Sequence, residues 1–128
     1  MAMKFNVIEI ANPMDPEGPK KFYARPVHTG EVLLEDLASD ISYASSINES
    51  DVYAVLQSLI REITRYIALG YIVRLGNMGS FRLGYNSKGS DTEEEVSAYN
   101  IQRKRLLFSP GKRIKDALTL LTFKKNDQ

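Results

Sequence analysis

Between Asn48 and Gly70 the chain carries an unbroken amphipathic pattern, and no other segment limits the possible folds as strongly. Val52, Val55, Leu56, Leu59, Ile60, Ile63, Tyr66 and Ile67 recur at three- and four-residue steps, the spacing of one helical face. Asn48 is a preferred N-cap type, and Glu49 and Asp51 put negative charge in the first turn. Gly70 supplies the left-handed residue that ends a helix. At 1.5 Å per residue the predicted helix of about 21 residues is about 30 Å long. The helix predicted before it, from about Leu33 to Ala44, carries Leu33, Leu34, Leu37, Ala38 and Ile41. It is too short to cover that stripe, so the pattern points to a subunit partner.

The rest of the chain reads as strands with one closing helix. Residues 1–30 predict an extended pair, Lys4 to Ile10 and Lys21 to Val27, around a loop punctuated by Pro13, Pro16, Gly18 and Pro19. Pro26 restricts the second strand to an edge or an end. After Gly70, Tyr71 to Leu75 and Ser80 to Tyr85 predict a hairpin turned at Gly76-Asn77-Met78-Gly79, where Asn77 tolerates positive φ. Asn86 to Glu95 is polar throughout and predicts an exposed excursion. Val96 to Phe108 predicts a returning strand, with Arg103 and Arg105 on one face. Pro110 fits the first turn of a last helix striped by Ile114, Ala117, Leu118 and Leu121. Thr122 to Lys125 predicts a short extended tail. The expected fold class is α+β, with a β extension at 1–30, a main domain at 31–125 whose excursion spans about 84–102, and a tail at 126–128.

The chain of 128 residues holds 17 Lys and Arg against 16 Asp and Glu, a net charge of +1. Resolved by position, the charge is polarised. From Glu31 to Asp51 there are six acids (Glu31, Glu35, Asp36, Asp40, Glu49, Asp51) and no base. From Arg103 to Lys125 eight cations (Arg103, Lys104, Arg105, Lys112, Arg113, Lys115, Lys124, Lys125) face Asp116 alone, a local charge of +7. One oriented face can therefore attract a polyanion although the whole surface does not. Zero cysteines exclude disulfides, a thiol nucleophile and thiolate metal sites, and the single His28 argues against a His-based triad. No enzyme, cofactor, metal or small-molecule substrate is expected. Nor does any segment reach the roughly 20 apolar residues of a membrane span or show a signal-peptide pattern, so the expected location is cytoplasmic.

Two segments carry a resemblance. Asn77-Met78-Gly79-Ser80-Phe81 lies where the bacterial histone-like HU/IHF family usually shows Gly-Phe-Gly-Thr-Phe. Phe108-Ser109-Pro110-Gly111-Lys112-Arg113-Ile114-Lys115-Asp116 is similar to that family's Phe-x-Pro-Gly-Lys-x-Leu-Lys-Asp. From about Val32 to Leu118 the chain resembles this family, and the added N-terminal residues resemble its extended subgroup in Bacteroides-like bacteria. The resemblance implies an intertwined homodimer with a helical base and a three-stranded antiparallel sheet ending in an arm. It also implies sequence-tolerant binding of double-stranded DNA in the nucleoid. The DNA-contact candidates are Arg82, Lys88, Arg103, Lys104, Arg105, Gly111, Lys112, Arg113 and Lys115, with backbone N–H groups from Gly111 onward at a helix start that favours phosphate. The dimer-interface candidates are Val52, Val55, Leu56, Leu59, Ile60, Ile63, Phe81 and Phe108. In one respect the chain departs from the family: no proline lies between Pro26 and Pro110, and Asp91, Glu93, Glu94 and Glu95 sit in the arm. The intercalating wedge is therefore not carried over, and little bending is expected. A rival reading is a dimeric structural or protein-interaction module that kept the fold and lost arm-mediated DNA binding.

Overall fold

The structure is a computed structural model and describes residues 2–127. It is α+β, with three α-helices and two three-stranded sheets, in two compact units. One unit comprises the chain up to Leu33 and from Ala117 onward; the other is Leu34–Asp116.

In the first unit, β1 (Ala2–Ile10) and β2 (Lys21–Val27) pair antiparallel from Lys4↔Val27 to Ile10↔Lys21. Pro26 sits in β2 at the sheet edge, where its missing N–H costs no ladder bond. The segment Thr122 to Lys125 is not a free tail. It forms β6, which lies parallel to β1 on the other side, from Ala2↔Thr122 to Phe5↔Lys125. Asn126 N–H extends the ladder to the Phe5 carbonyl at 2.8 Å. The sheet order is β2-β1-β6.

In the second unit, α1 (Leu34–Tyr43) packs against α2 (Glu49–Ala68). Asn48 caps α2 as the sequence predicts: its side-chain oxygen accepts from the Asp51 N–H at 2.9 Å. The far end closes in a Schellman turn. Gly70 takes φ +89°, its N–H reaches the Ile67 carbonyl, and the Tyr71 N–H reaches Tyr66 at 3.0 Å. The Tyr66 and Tyr71 rings meet edge to face at 5.5 Å, the apolar contact that accompanies this motif.

Next come the short β3 (Val73–Arg74), then β4 (Gly79–Ser87) and β5 (Ile101–Pro110), in the order β3-β4-β5. The turn between β3 and β4 is a single 3-10 turn, Gly76–Met78, and its positive φ values fall on Gly76 and Gly79 rather than on Asn77. β5 begins at Ile101 and not at Val96, because Val96 to Asn100 is taken up by a 3-10 turn, Ala98–Asn100, and its approach. Pro110 is the last residue of β5, opposite Gly79, and α3 (Lys112–Leu120) starts after it. The boundary between the units falls within α3.

Ala38 and Val52 are the only buried apolar side chains among the described residues. Helix α2 divides its stripe in two. Val52, Leu56, Ile63 and Ile67 are buried or half-buried within their own chain, whereas Val55 (66% exposed), Leu59, Ile60 and Tyr66 are exposed.

Candidate nucleic-acid interface

Strand register sorts the second sheet into two unlike faces. Directly opposed residues share a face, so Val73, Phe81 and Phe108 lie together and Leu83 pairs with Leu106 beside them. This is the apolar face; the Phe81 and Phe108 rings stack at 4.9 Å, yet Phe108, Leu83 and Leu106 stay substantially exposed. The opposite face holds Arg74 with Ser80 and Ser109, then Arg82 with Leu107, then Gly84 with Arg105. Across β3, β4 and β5 there are five cations and no acid.

Arg74 escaped the sequence reading because β3 is so short that its alternation shows no period. Its face becomes visible only through the pairing Arg74↔Ser80, where its Nη1 donates to Ser80 Oγ at 3.2 Å. On the same face, Gly84 leaves room for Leu107, whose Cδ1 lies 2.7 Å from where a Cβ would stand. Arg105 is held out along the sheet by Nη1 donating to Asn86 Oδ1 at 2.6 Å.

The expectation that Arg103 and Arg105 share one face fails. Gly84↔Arg105 and Asn86↔Gln102 leave Arg103 and Lys104 together opposite Tyr85, which is a β-bulge. Arg103 takes φ +49° to make it, a conformation uncommon for a residue with a Cβ. Strict alternation is interrupted there, although both side chains remain exposed.

Gly111 is also corrected. Its N–H donates to the Met78 carbonyl at 2.9 Å and is spent inside the fold. Gly79 and Gly111 permit that closure: a Cβ on Gly79 would run into the Ser109 carbonyl, and one on Gly111 into the Asn77 carbonyl. This backbone-on-backbone contact fixes where α3 starts. The amides available to an anion therefore begin at Lys112, where the first helical N–H groups have no intrahelical acceptor. Lys112 and Arg113 line a recess of about 220 Å³ with Asn77 and Asp116.

Lys88 lies at the arm tip, and the tip is built in a way the sequence did not reveal. Residues 88–100 fold back over Asn100, which is 7% exposed. Its Nδ2 donates to the Lys88 carbonyl (2.7 Å) and to Ser90 Oγ (2.8 Å), and its Oδ1 accepts from the Ser97 N–H (2.8 Å). The Lys88 N–H in turn bonds the Asn100 carbonyl. The Ser97-x-x-Asn100 spacing, that of a capping box, is the signal that could have found it. Glu93–Glu95 form an exposed 3-10 turn on this tip.

Of the interface candidates, Val55, Leu59 and Ile60 on α2 and Phe108 on the sheet are exposed, Leu56, Ile63 and Phe81 are half-buried, and Val52 is already 5% exposed within its own chain. Val52 has little surface left to give a partner.

A family model described as an HU domain fused to wHTH, Ig, or glycine-rich motif matches residues 1–125. The fold is similar to that of a bacterial DNA-binding protein from Bacteroides vulgatus, with a TM-score of 0.65 and 8% identity over 98% of this chain and 50% of that one. This chain thus spans half the length of that protein. It is also similar to the HU protein of Anabaena crystallised with DNA, with a TM-score of 0.55 and 19% identity over 70% of this chain and 99% of that one. No curated protein matches.

Proposed function

The chain belongs to the HU-HIG family, HU domains fused to wHTH, Ig or glycine-rich motifs, and from that premise we propose that it binds double-stranded DNA as a homodimer. Binding is sequence-tolerant, bends the duplex little, and serves to organise the nucleoid. The observation that carries this reading is the acid-free face of Arg74, Arg82 and Arg105, with Lys112 and Arg113 in the first turn of α3 in the same unit. Guanidinium groups along strands and helix N–H groups are donors for phosphate oxygens and carry no sequence information. The Anabaena protein, crystallised with DNA, has a similar fold, which supports DNA binding in general. The arm adds no wedge: its tip carries Glu93, Glu94 and Glu95 and no proline.

Dimerisation is supported by surface area. The chain exposes 11223 Å². Two separately folded units of these sizes would expose about 8,200 Å² together. The excess of about 3,000 Å² per chain leaves ample surface for a partner, against the roughly 800 Å² per partner of a standard interface. Val55, Leu59 and Ile60 on α2, with Phe81 and Phe108 on the sheet, are the residues proposed to fill it. No helix of the described residues is long and apolar enough to cross a membrane, and no group of three or more His, Cys, Asp or Glu side chains among them is arranged to hold a metal. Neither a catalytic role nor a cofactor enters this reading.

Fluorescence anisotropy of a labelled duplex at two salt concentrations tests it. If a dimer neutralises about six to ten phosphates, affinity falls about 10³- to 10⁵-fold between 50 and 200 mM salt. Charge reversal at Lys112, Arg113 and Lys115 abolishes binding. Absence of wild-type binding at low salt would instead favour a dimeric structural module.

A further inference from the structure

The two faces of the first sheet differ in charge. Register through β2-β1-β6 places Phe5, Val7, Phe22 and Phe123 on one face, together with Glu9 and Lys125. The other face, which also carries Ile8, Ile10 and Val27, holds Lys4, Lys21, Arg25 and Lys124, with Asn6 and Tyr23 between them, and no acid at all. The four cations, Asn6 and Tyr23 are all exposed, and among the described residues none of the four cations is engaged in an ion pair. Lys4 and Lys124 stand directly in register on neighbouring strands. Like charges opposed in this way destabilise a sheet unless an anion lies between them. The cations run from Lys4 to Lys21, which is opposite Ile10, a distance of six residues or about 20 Å of strand. That matches about six phosphates of one DNA strand at 3.4 Å of axis each.

We propose that this face of the N-terminal sheet is a second phosphate-binding surface, which adds DNA phosphate contacts to those made by the HU-like unit. The inference rests on the DNA-binding reading above and assigns a role to the strands that lie outside the HU-like unit. Charge complementarity commits the surface to a polyanion, and its length selects an extended backbone over a compact anion. Tyr23, on the same face, offers an aromatic plane beside the cations.

The test uses the full chain with Lys4→Gln, Lys21→Gln, Arg25→Gln and Lys124→Gln together. All four are exposed, and thermal unfolding checks that the variant is folded. On a duplex of about 40 base pairs the slope of log K against log salt becomes shallower by about 2 to 4 per chain, because each phosphate contact contributes about 0.9. Singly, Lys124→Gln removes about 0.9 per chain while Lys125→Gln, on the opposite face, leaves the slope unchanged. Wild-type binding with identical slopes for wild type and the quadruple variant overturns the second surface alone. No wild-type binding at low salt overturns the parent reading and this inference with it. Vesicles containing one-third phosphatidylserine supply the remaining arm. If wild type binds them, the variant does not, and the duplex slopes agree, the face is a membrane surface and the proposal fails.

Discussion

Asn100 is the residue whose loss has the most local and most measurable effect. Its side chain makes three hydrogen bonds at 2.7–2.8 Å, nearly out of contact with water, and they tie Lys88, Ser90 and Ser97 into one tip. At about 0.5 to 1.5 kcal/mol net for each of the three bonds, Asn100→Ala costs about 2 to 4 kcal/mol. The cost falls on residues 88–100 and not on the whole molecule, because the helices and β3 do not touch this network. Native-state hydrogen exchange should show amide protection at Lys88, Val96 and Asn100 dropping about 30- to 700-fold, at 1.4 kcal/mol per tenfold, with α2 amides unchanged. Asn100→Asp keeps the acceptor for Ser97 but turns both donors toward the Lys88 carbonyl and Ser90 Oγ into acceptors. Burial then disfavours the ionised form, so the folded pKa of that carboxyl lies above its unfolded value. Tip stability in this variant is fullest below the unfolded pKa and is lost as pH rises through the folded one. Unchanged exchange at Lys88 in Asn100→Ala would refute the idea that this side chain holds the tip. An equal loss of protection in α2 would refute its local character.

The remaining expectations concern other parts of the molecule. Gly111→Ala forces a Cβ against the Asn77 carbonyl and should cost about 1 to 3 kcal/mol in urea unfolding, and Gly79→Ala, at φ +134°, at least as much. Arg74→Gln should leave the fold intact and make the salt slope of duplex binding shallower by about 0.9 per chain. Leu59→Glu should convert a dimer to monomer in sedimentation, since Leu59 is exposed in the single chain. Val52→Ala should instead lower stability by about 1 to 3 kcal/mol through loss of packing within the subunit, without a comparable loss of self-association specificity.

The features legible in the sequence were those whose signals are local and redundant. Helix α2 was readable at both ends because Asn48, Glu49, Asp51 and Gly70 each act within one turn of the backbone they satisfy. The hairpin and the Phe108 to Asp116 segment were readable because two glycines mark backbone approaches that no side chain would permit. What failed depended on pairing. The bulge at Arg103 is fixed by the register of β5 against β4, which the alternation of β5 alone does not encode. β6 has only four residues, and its partner lies at the other end of the chain. Arg74 belongs to a strand of two residues, too short to display a period. Asn100 falls in a segment that alternation alone reads as strand, and two of its three partners, Lys88 and Ser90, are ten or more positions away. Pro110 suited either a strand end or a helix start by its fixed φ, and the ladder to Gly79 decided between them.

The parallel pairing of β1 with β6 has a temporal side. Ala2 must wait for Thr122, and at about 5 to 20 residues per second synthesis of the intervening chain takes roughly 6 to 24 seconds. Through that interval the N-terminal strands exist only as an isolated hairpin, which is marginal in water, with one edge of β1 unprotected. Strands β1 and β2 are thus made early yet are among the last of these elements to reach their folded form, and nascent neighbours on one messenger have time to exchange β6 strands before each chain closes on its own.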